Sequence, residues 1–400
     1  MDSKELGIYI HIPFCKRKCY YCDFISLGME CMEDKSIIEE YMRAVKNEIE
    51  VYFTQNIIRE YNVTTIYIGG GTPSYIDSKY IVEILNFLEI KLKDNVTPFK
   101  EIEITIEINP GTVDIVKLEQ YKKANINRLS IGLQSTNNEI LKEIGRIHTF
   151  EEFLETYNKA KDVGFENINV DLMIGLPNQT IEDIKDSLFQ IIKINPNHIS
   201  VYSLIIEEGT VIDQYIKQKK LVELDEETER NMYWYVKNTL ELNNYNHYEI
   251  SNFSKKGKES KHNVNCWFQK EYVGIGVAAH SYLKNIRYTN TDNVKKYISK
   301  FKDIEKIKSK KEGFLKNNYN IEEEQSLDER KKEYMLLGLR KIEGVQISKF
   351  KEKYIDNPIF IYKRELEKLI NEGLIIVDGD YIRLTNKGLD LANLVWEEFV

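Results

Sequence analysis

The first half of the chain alternates between short apolar runs and longer segments in which apolar residues recur every three or four positions. The short runs are rich in Ile and Val and have the length of buried strands, whereas the longer segments have the period of amphipathic helices. The pattern predicts six strands, each followed by a helix. The predicted strands are Gly7–Ile12, Thr64–Gly70, Glu101–Asn109, Arg128–Gln134, Asn167–Leu176 and His198–Ile206, and the helices between them include Ile37–Phe53, Lys79–Leu92, Val113–Ala124, Phe150–Val163 and Ile181–Ile194.

Six β-then-α units in series predict an α/β fold whose parallel strands are joined by right-handed crossovers. A closed (β/α)₈ barrel has eight such units, so we expect a partial, open (β/α)₆ barrel, with an open doubly wound sheet as the alternative. Both architectures place functional groups at the carboxyl ends of the strands. We therefore assign residues 1–206 to this core and look for chemistry just after each strand.

The pattern changes twice in the second half of the chain. Residues 207–326 form an extension, in which we expect a charged helix at Glu223–Leu242, a strand at Tyr272–Ala279, and a lysine-rich helix and linker over 294–318. Residues 327–400 predict a compact C-terminal domain that resembles a winged helix, with helices near Asp328–Arg340, Ile347–Tyr354 and Phe360–Asn371, a hairpin from Leu374–Val377 to Tyr381–Leu384, and a last helix at Lys387–Phe399. Acidic and basic residues are nearly balanced in this domain, which argues against DNA binding.

The composition narrows the class of protein further. The 400 residues carry 56 basic and 64 acidic side chains, a net charge of −8, which does not favour a nucleic-acid partner. Hydrophobic residues make up 42% of the chain, as in folded globular proteins, but no apolar stretch is long enough to span a bilayer. The charged start, Met1–Glu5, lacks the features of a signal peptide, so we expect a cytoplasmic protein.

Three of the five cysteines lie on one short segment directly after the first predicted strand. Cys15, Cys19 and Cys22 have the spacing Cys-x₃-Cys-x₂-Cys, which in a reducing compartment indicates a metal or cluster site rather than disulfides. No fourth cysteine lies in this segment, so a [4Fe–4S] cluster held here would keep one iron open for another ligand. The basic residues between Cys15 and Cys19 favour thiolates. A structural zinc site and inert buried thiols remain as alternatives.

The residues ahead of this spacing carry a resemblance to a known family. Cys-x₃-Cys-x₂-Cys opening a series of βα units resembles the radical S-adenosylmethionine (SAM) superfamily, and the upstream segment Tyr9-Ile10-His11-Ile12-Pro13-Phe14-Cys15 narrows the resemblance to the coproporphyrinogen III oxidase-like family. The resemblance implies a [4Fe–4S] cluster on Cys15, Cys19 and Cys22, with the amino and carboxylate groups of SAM on the open iron. It also implies that the reduced cluster cleaves SAM to methionine and a 5′-deoxyadenosyl radical, and that an electron donor such as flavodoxin or ferredoxin reduces the cluster.

The same resemblance assigns SAM-binding positions at the ends of successive predicted strands. Glycines follow the second strand, a glutamate lies near the end of the third, and a glutamine ends the fourth. Taken singly, these residues could be turns, caps or surface charges, and it is their order along the strands that supports the assignment. The implied residues are Tyr9, Tyr21, Gly70, Gly71, Thr72, Glu107, Gln134, Arg146 and Asp171. No residue is assigned a catalytic role.

Two features favour the haem-chaperone members of this family, the HemW type, over the oxygen-independent coproporphyrinogen III dehydrogenase. The dehydrogenase pattern has a fourth cysteine two residues after the third, where this chain has Phe24, and it has a long N-terminal arm, whereas six residues precede Gly7 here. The resemblance then implies a protein that binds haem and transfers it to an unidentified acceptor protein. The dehydrogenase, and a radical SAM enzyme that acts on another substrate, remain as alternatives.

The haem motif of the chaperones, His-Asn-x-x-Tyr-Trp, is present with a departure. The chain reads His262-Asn263-Val264-Asn265-Cys266-Trp267, with Cys266 where tyrosine is expected, and the usual Gly-Gly-Asp does not follow. Histidine and cysteine both ligate haem iron, so we expect His262 to contribute to haem binding and regard Cys266 as a second candidate. A lone histidine in a loop is more often structural than a ligand. His280 is a further candidate near the expected cavity.

Overall fold

A computed structural model describes residues 4–29, 36–305 and 314–400 of the chain. Its strands include all six that the sequence predicts, with ends that differ by a few residues at most positions. In chain order they are β1 Lys4–Ile12, β2 Phe14–Cys15, β3 Leu27–Gly28, β4 Tyr61–Gly70, β5 Glu103–Ile108, β6 Arg128–Gln134, β7 Asn167–Ile174, β8 His198–Ser203, β9 Asn246–Glu249, β10 Asn252–Ser254, β11 Glu271–Ile275, β12 His280–Leu283, β13 Ile286–Thr289, β14 Asn320–Glu324, β15 Val345–Gln346, β16 Ile375–Asp378 and β17 Tyr381–Leu384.

One open sheet of twelve strands organises the described residues, in the order β14-β13-β12-β11-β1-β4-β5-β6-β7-β8-β10-β9. The strands β1, β4, β5, β6, β7 and β8 are parallel neighbours, as expected for successive right-handed βα units. The two outermost strands, β14 and β9, are not paired with each other, so the barrel is open. The predicted α/β fold with a partial (β/α)₆ barrel is confirmed.

The helices between the strands follow the predicted pattern closely. Three begin with capping boxes, at Thr149 with Glu152, at Thr180 with Asp183 and at Ser326 with Glu329, in which the N-cap hydroxyl accepts from the third backbone N–H of the helix and the acidic side chain accepts from the N-cap N–H. The α-helices are Ser36–Thr54, Ser78–Lys91, Ile115–Lys123, Asn138–Glu143, Phe150–Asp162, Ile181–Ile194, Val211–Lys217, Glu226–Leu242, Lys261–Trp267, Val294–Phe301, Phe314–Asn318, Leu327–Gly338, Ile347–Tyr354, Pro358–Ile361, Lys363–Asn371, Asn386–Asp390 and Ala392–Glu397.

The two faces of the barrel strands differ in polarity. Isoleucines at alternate positions of β1, β4 and β5, such as Ile8, Ile66 and Ile104, are buried in one large apolar cluster with the surrounding helices. Each buried isoleucine contributes roughly 1.5–3 kcal/mol to stability. The intervening positions carry hydrogen-bonded polar side chains, among them Thr65 and Glu107, so the interior of the barrel is a polar network.

The predicted extension is continuous with the barrel in the sheet. β11 pairs in parallel with β1, and β10 pairs antiparallel to β8, so strands from residues beyond 206 extend both sides of the core. The strand predicted at Tyr272–Ala279 ends at Ile275, because Gly276 has a φ of +106° and Ala278 has a φ of +53°, which turn the chain. The lysine-rich stretch over 294–318 begins and ends in helix, and its residues 306–313 lie outside the described ranges. The boundary at 206 stays a prediction.

The C-terminal segment has its own core. Helices Leu327–Gly338, Ile347–Tyr354 and Lys363–Asn371 and the β16–β17 hairpin enclose buried apolar side chains, and β15 adds a third strand beside β17. This arrangement matches the winged-helix-like pattern of the prediction. Of the helices described, none is long and apolar enough to cross a membrane.

Candidate functional site

The three clustered cysteines lie on a loop that leaves the carboxyl end of β1 and is closed by two short strands. Phe14 and Cys15 pair in parallel with Leu27 and Gly28, and the Leu27 N–H donates to the Pro13 carbonyl at 2.6 Å. The imidazole of His11 is hydrogen-bonded through Nε2 to the Ile25 carbonyl at 2.9 Å. These contacts hold Cys15, Cys19 and Cys22 at the end of the barrel where β4 and β5 also terminate.

The thiols of the loop lie in partly buried surroundings. The Thr72 hydroxyl donates to Cys15 Sγ at 3.5 Å, and Arg146 Nη1 donates to Cys19 Sγ at 3.4 Å. Burial raises the pKa of Cys15, and it raises the pKa of Cys22 to about 11 although Lys18 acts in the opposite direction. In the metal-free protein, burial therefore outweighs the effect of Lys18 on the pKa of Cys22, and it outweighs the hydrogen bond from Thr72 at Cys15.

The glycine-rich turn after β4 packs directly against this loop. The Gly71 N–H donates to the Ile12 carbonyl at 2.9 Å, and a Cβ on Gly71 would lie 2.9 Å from Cys15 Sγ. Gly70 has a φ of +115°, and a Cβ there would meet the His11 ring at 2.7 Å. The glycines are thus required by the close approach of the turn to the cysteine loop. The next residue, Thr72, donates a hydrogen bond from its hydroxyl to Cys15 Sγ.

Two carboxylates project into the barrel beside the cysteine loop. Glu107 accepts from the Tyr67 hydroxyl at 2.9 Å and from the Gly70 N–H at 3.0 Å. Asp171 accepts from Asn169 Nδ2 at 2.7 Å and from the Ser130 hydroxyl at 3.1 Å. Burial raises the pKa of Glu107 to about 7, with a further increase from the nearby Asp171, and burial also raises the pKa of Asp171. Both groups are suited to accept hydrogen bonds from a cationic ligand.

A buried arginine connects the cysteine loop to the third and fourth barrel strands. Arg146 donates to Cys19, to the Gly132 carbonyl, and through Nη2 to Asn109 Oδ1 at 2.8 Å. Its Nε is buried and has no hydrogen-bond partner in the protein. Gln134 lies nearby in the left-handed region, with a φ of +77°. Arg146 as a whole borders the cavity, so its guanidinium is placed to interact with an anionic group there.

A cavity of about 410 Å³ brings most of the predicted site residues together. A volume of this order is typical of small-molecule sites. Residues that the sequence did not single out also line it, including Tyr67, Asn109, Ser130 and Tyr202. Ser130 could have been found from the period of two that carries it to the same face as Gln134. The predicted residues that line the cavity are Cys15, Cys19, Tyr21, Cys22, Gly70, Gly71, Thr72, Glu107, Gln134, Arg146 and Asp171.

Tyr9, His262 and Cys266 do not belong to that lining. Tyr9 lies behind the cavity, where its hydroxyl is hydrogen-bonded to His11 Nδ1 at 3.0 Å. His262 is buried, and its Nδ1 lies 2.9 Å from the Thr65 hydroxyl. Cys266 lies one helical turn later, beside Tyr272 and Arg287, and burial raises its pKa to about 11.

His280 lies on β12, away from the cavity. Its side chain is 63% exposed and approaches the Glu322 carboxylate at 3.2 Å. Among the described residues, no three His, Cys, Asp or Glu side chains are placed to hold a single metal ion. A [4Fe–4S] cluster does not require three side chains around one metal ion, because each thiolate binds a separate iron.

The open barrel, the cysteine loop at its carboxyl end and the adjoining carboxylates define the class of a radical SAM protein. The model of the radical SAM superfamily matches residues 9–191, and that of the HemN C-terminal domain matches residues 325–391. The fold is similar to that of the coproporphyrinogen III oxidase HemN from Escherichia coli, with a TM-score of 0.80 at 21% identity over 99% of this chain and 90% of the other.

Curated relatives match the chain from end to end. It is 36% identical to the "Heme chaperone HemW" of Lactococcus lactis subsp. lactis over 400 residues, with 100% of this chain and 98% of the relative covered. It is 34% identical to the protein of the same name from Bacillus subtilis, with 98% of each chain covered. The Escherichia coli protein of that name is 30% identical over 99% of this chain and 98% of the relative. The chain belongs to the HemW family of radical SAM proteins.

Membership in the radical SAM superfamily implies a [4Fe–4S] cluster and SAM, and the cavity fits both. Three free thiols face the cavity from one loop, and the missing Cβ of Gly71 leaves space beside Cys15. Arg146 offers hydrogen-bond donors to the cavity, and Glu107 and Asp171 offer acceptors. When bound, a reduced cluster supplies an electron to SAM.

The raised pKa of Glu107 predicts a pH-dependent stability of the metal-free, SAM-free protein. The pKa of this carboxyl is 4.5 in the unfolded chain and about 7 in the folded protein. The contribution of the group to stability is therefore fully present below pH 4.5, and it is lost as the pH rises through 7. We expect the unfolding free energy of the native protein, relative to that of Glu107→Gln, to fall by about 1.4 kcal/mol per pH unit between about pH 5 and pH 7.

Urea unfolding at several pH values would measure this difference. Glu89→Gln, on the exposed side of helix Ser78–Lys91, is the matched control for the loss of one carboxyl. A difference between the native protein and Glu107→Gln that stays constant over this range would contradict the assignment of the raised pKa to Glu107.

Proposed function

We propose that this protein is a haem chaperone that holds a [4Fe–4S] cluster and SAM, binds haem and transfers it to an acceptor protein. The observation that carries the proposal is the end-to-end similarity to relatives named as haem chaperones, at 30–36% identity. The exposed Phe24 beside the cysteine loop supports it, because the dehydrogenase pattern places a fourth cysteine there. The acceptor, the electron donor and a cytoplasmic location stay predictions.

In this proposal, Cys15, Cys19 and Cys22 ligate the cluster, and the residues around the cavity bind SAM. Glu107 and Asp171 accept hydrogen bonds from hydroxyl or ammonium groups of SAM, and Arg146 donates to its carboxylate. Gly70 and Gly71 let the backbone approach both the cluster and SAM. The neighbouring Tyr9 positions His11, and Tyr21, Thr72 and Gln134 complete the walls. These side chains bind and orient SAM and exclude water from it.

The proposed haem ligand, His262, is placed differently from the SAM residues. In the described conformation it is buried beneath the Tyr67 ring, and burial with the nearby Arg128 lowers its pKa to about 4, so the imidazole is neutral and able to ligate iron. For haem iron to reach this side chain, helix Lys261–Trp267 must move away from the barrel. Cys266, on the same helix, is the second candidate ligand.

A haem titration of the cluster-reconstituted protein under anaerobic conditions tests the proposal. We expect saturable one-to-one binding, and a Kd raised at least about tenfold in His262→Ala, which corresponds to about 1.4 kcal/mol. His280→Ala serves as the comparison, because that histidine is exposed on an outer strand. Cys266→Ser tests the second candidate on the same helix.

The outcomes separate the alternatives. An absence of saturable haem binding by the native protein would contradict the chaperone function, and SAM cleavage that depends on coproporphyrinogen III would then favour the dehydrogenase. Equal weakening by His262→Ala and His280→Ala would indicate that neither histidine is a specific ligand. Unfolding midpoints of both variants must match that of the native protein for the comparison to hold.

A further inference from the structure

Helix Lys261–Trp267 closes the end of the barrel that lies opposite the cysteine loop. His262 contacts Gly7 and Thr65, residues paired near the start of β1 and in the first half of β4, and its backbone N–H donates to Glu103 at the start of β5, at 3.2 Å. The cysteine loop and the glycine turn follow the other ends of β1 and β4. His262 therefore approaches the barrel interior from the side opposite the cysteine loop, and the Tyr67 ring lies between it and the cavity.

The Tyr67 side chain contacts both the cavity wall and His262. The Tyr67 hydroxyl donates to Glu107 in the wall of the cavity at 2.9 Å, while the Tyr67 ring packs on the imidazole of His262 with the ring centroids 5.3 Å apart. The hydroxyl is one of the two protein donors described for the Glu107 carboxylate, the other being the Gly70 N–H. Movement of His262 away from the barrel would remove one of the two ring contacts described for Tyr67, the other being with Tyr9 at 6.2 Å between the ring centroids.

A second chain of hydrogen bonds joins the same two regions across the barrel. From Asp171 in the cavity wall it passes to Asn169, whose Oδ1 lies 2.6 Å from His198 Nδ1. His198 Nε2 lies 2.7 Å from the Tyr248 hydroxyl, which accepts from the Ser260 N–H at 3.3 Å. Ser260 is the N-cap of helix Lys261–Trp267. Both carboxylates of the cavity are thus connected to the helix that carries the haem motif.

We propose that Tyr67 is a positioning residue that couples the two ends of the barrel, so that SAM bound at Glu107 keeps helix Lys261–Trp267 closed and weakens haem binding through His262. The proposal rests on the proposed function. A ligand that brings positive charge or hydroxyl donors to Glu107 favours the ionised carboxylate, which in turn accepts a stronger hydrogen bond from Tyr67. In the closed helix, His262 packs on the Tyr67 ring and supports the hydrogen bond from Tyr67 to Glu107. In an open helix, this support is lost.

The coupling is reciprocal by thermodynamic linkage. If SAM binds the closed state more tightly than the open state, it must weaken a ligand that requires the open state, and that ligand must weaken SAM by the same factor. Release of haem to an acceptor would then be promoted by SAM at the opposite end of the barrel. The antagonism is therefore a mechanism for unloading haem that needs no contact between SAM and haem.

Amide hydrogen exchange of the cluster-reconstituted full chain, with and without saturating SAM, tests the coupling without using haem. We expect SAM to slow exchange at least fivefold in the peptide over residues 261–268, whose amides report opening of this helix. In Tyr67→Phe, which keeps the ring and removes the hydroxyl, we expect the protection by SAM to fall below twofold and the Kd for SAM to rise about tenfold. Tyr245→Phe is the matched control, because it removes another buried hydroxyl, one that donates to the Pro196 carbonyl at 2.7 Å.

A parallel haem titration separates failure of this inference from failure of the proposed function. We expect saturating SAM to raise the Kd for haem about fivefold in the native protein and less than twofold in Tyr67→Phe. If haem does not bind at all, the proposed function fails, and the exchange experiment still decides the coupling. If SAM binds but changes neither the exchange of residues 261–268 nor the Kd for haem, the coupling is overturned while the haem chaperone stands. Equal loss of protection in Tyr245→Phe would also overturn the role of Tyr67.

Discussion

Replacement of Cys15, Cys19 and Cys22 together by serine is expected to abolish assembly of the iron–sulfur cluster. The reconstituted native protein should contain about four irons per chain, and the triple variant should contain close to none, because serine does not replace the thiolate ligands that hold such a cluster. SAM binding should fall below detection at the same time, since the open iron is lost. Iron analysis, absorbance spectra and equilibrium dialysis with SAM measure the two effects.

Cys266→Ser is the matched control, because it removes a partly buried cysteine that lies outside the cavity. It should retain the iron content of the native protein. Iron retained by the triple variant, or lost from Cys266→Ser, would contradict the assignment of the ligands. The unfolding midpoint of each metal-free variant should lie close to that of the metal-free native protein, which shows that loss of iron is not loss of the fold.

The second large effect is expected at Glu48, a fully buried carboxylate on helix Ser36–Thr54. Its oxygens accept from the Gly276 N–H at 2.9 Å, from Asn290 Nδ2 at 2.8 Å, and from the hydroxyls of Tyr297 at 2.6 Å and Tyr319 at 2.9 Å. Burial raises the pKa of Glu48, whereas the hydrogen bonds from Asn290, Tyr297 and Gly276 and the charge of Lys300 act in the opposite direction. One side chain therefore connects the first barrel helix to four separate points of the extension.

Glu48→Ala should lower the unfolding free energy by at least about 3 kcal/mol, because it leaves a cavity and removes the acceptor from several buried donors at once. Urea unfolding of the full-length, metal-free protein measures the change. Glu39→Ala, on the same helix and in an exposed ion pair with Arg43, should change it by less than about 0.5 kcal/mol. Comparable losses in the two variants would show that the Glu48 network contributes little.

The Glu48 network also supports the cluster loop. The Tyr41 hydroxyl accepts from the Val277 N–H at 3.0 Å, next to the Gly276 that Glu48 binds, and donates to the His11 carbonyl at 2.8 Å. His11 in turn is hydrogen-bonded to Ile25 at the end of the cysteine loop. The extension therefore stabilises the loop from behind, through residues that have no part in the cavity.

The sequence predicted the cavity better than it predicted the haem motif. Residues placed at the ends of successive strands converge in a parallel sheet whatever their separation along the chain, so the strand order supported the family resemblance in placing Gly71, Glu107 and Asp171 together. Tyr67 was missed because nothing in its local sequence distinguishes a strand residue that faces the cavity from one that fills a core, whereas the alternation along β6 could have revealed Ser130. His262 was treated as a histidine in a loop, whereas the structure places it in the short helix Lys261–Trp267.

The sequence by itself determined the α/β class with successive parallel strands and the position of the cysteine loop after the first strand, because periodicity and spacing are local properties of the chain; the choice of the other site residues came from the family resemblance. Only the tertiary structure decided that burial raises the pKa of Cys22 despite its basic neighbours, that strands from the extension join the barrel sheet, and that His262 lies beneath Tyr67 at the far end of the barrel. These depend on desolvation and on contacts between residues far apart in sequence, such as Thr65 with His262 and Glu48 with Tyr319, which no local pattern records.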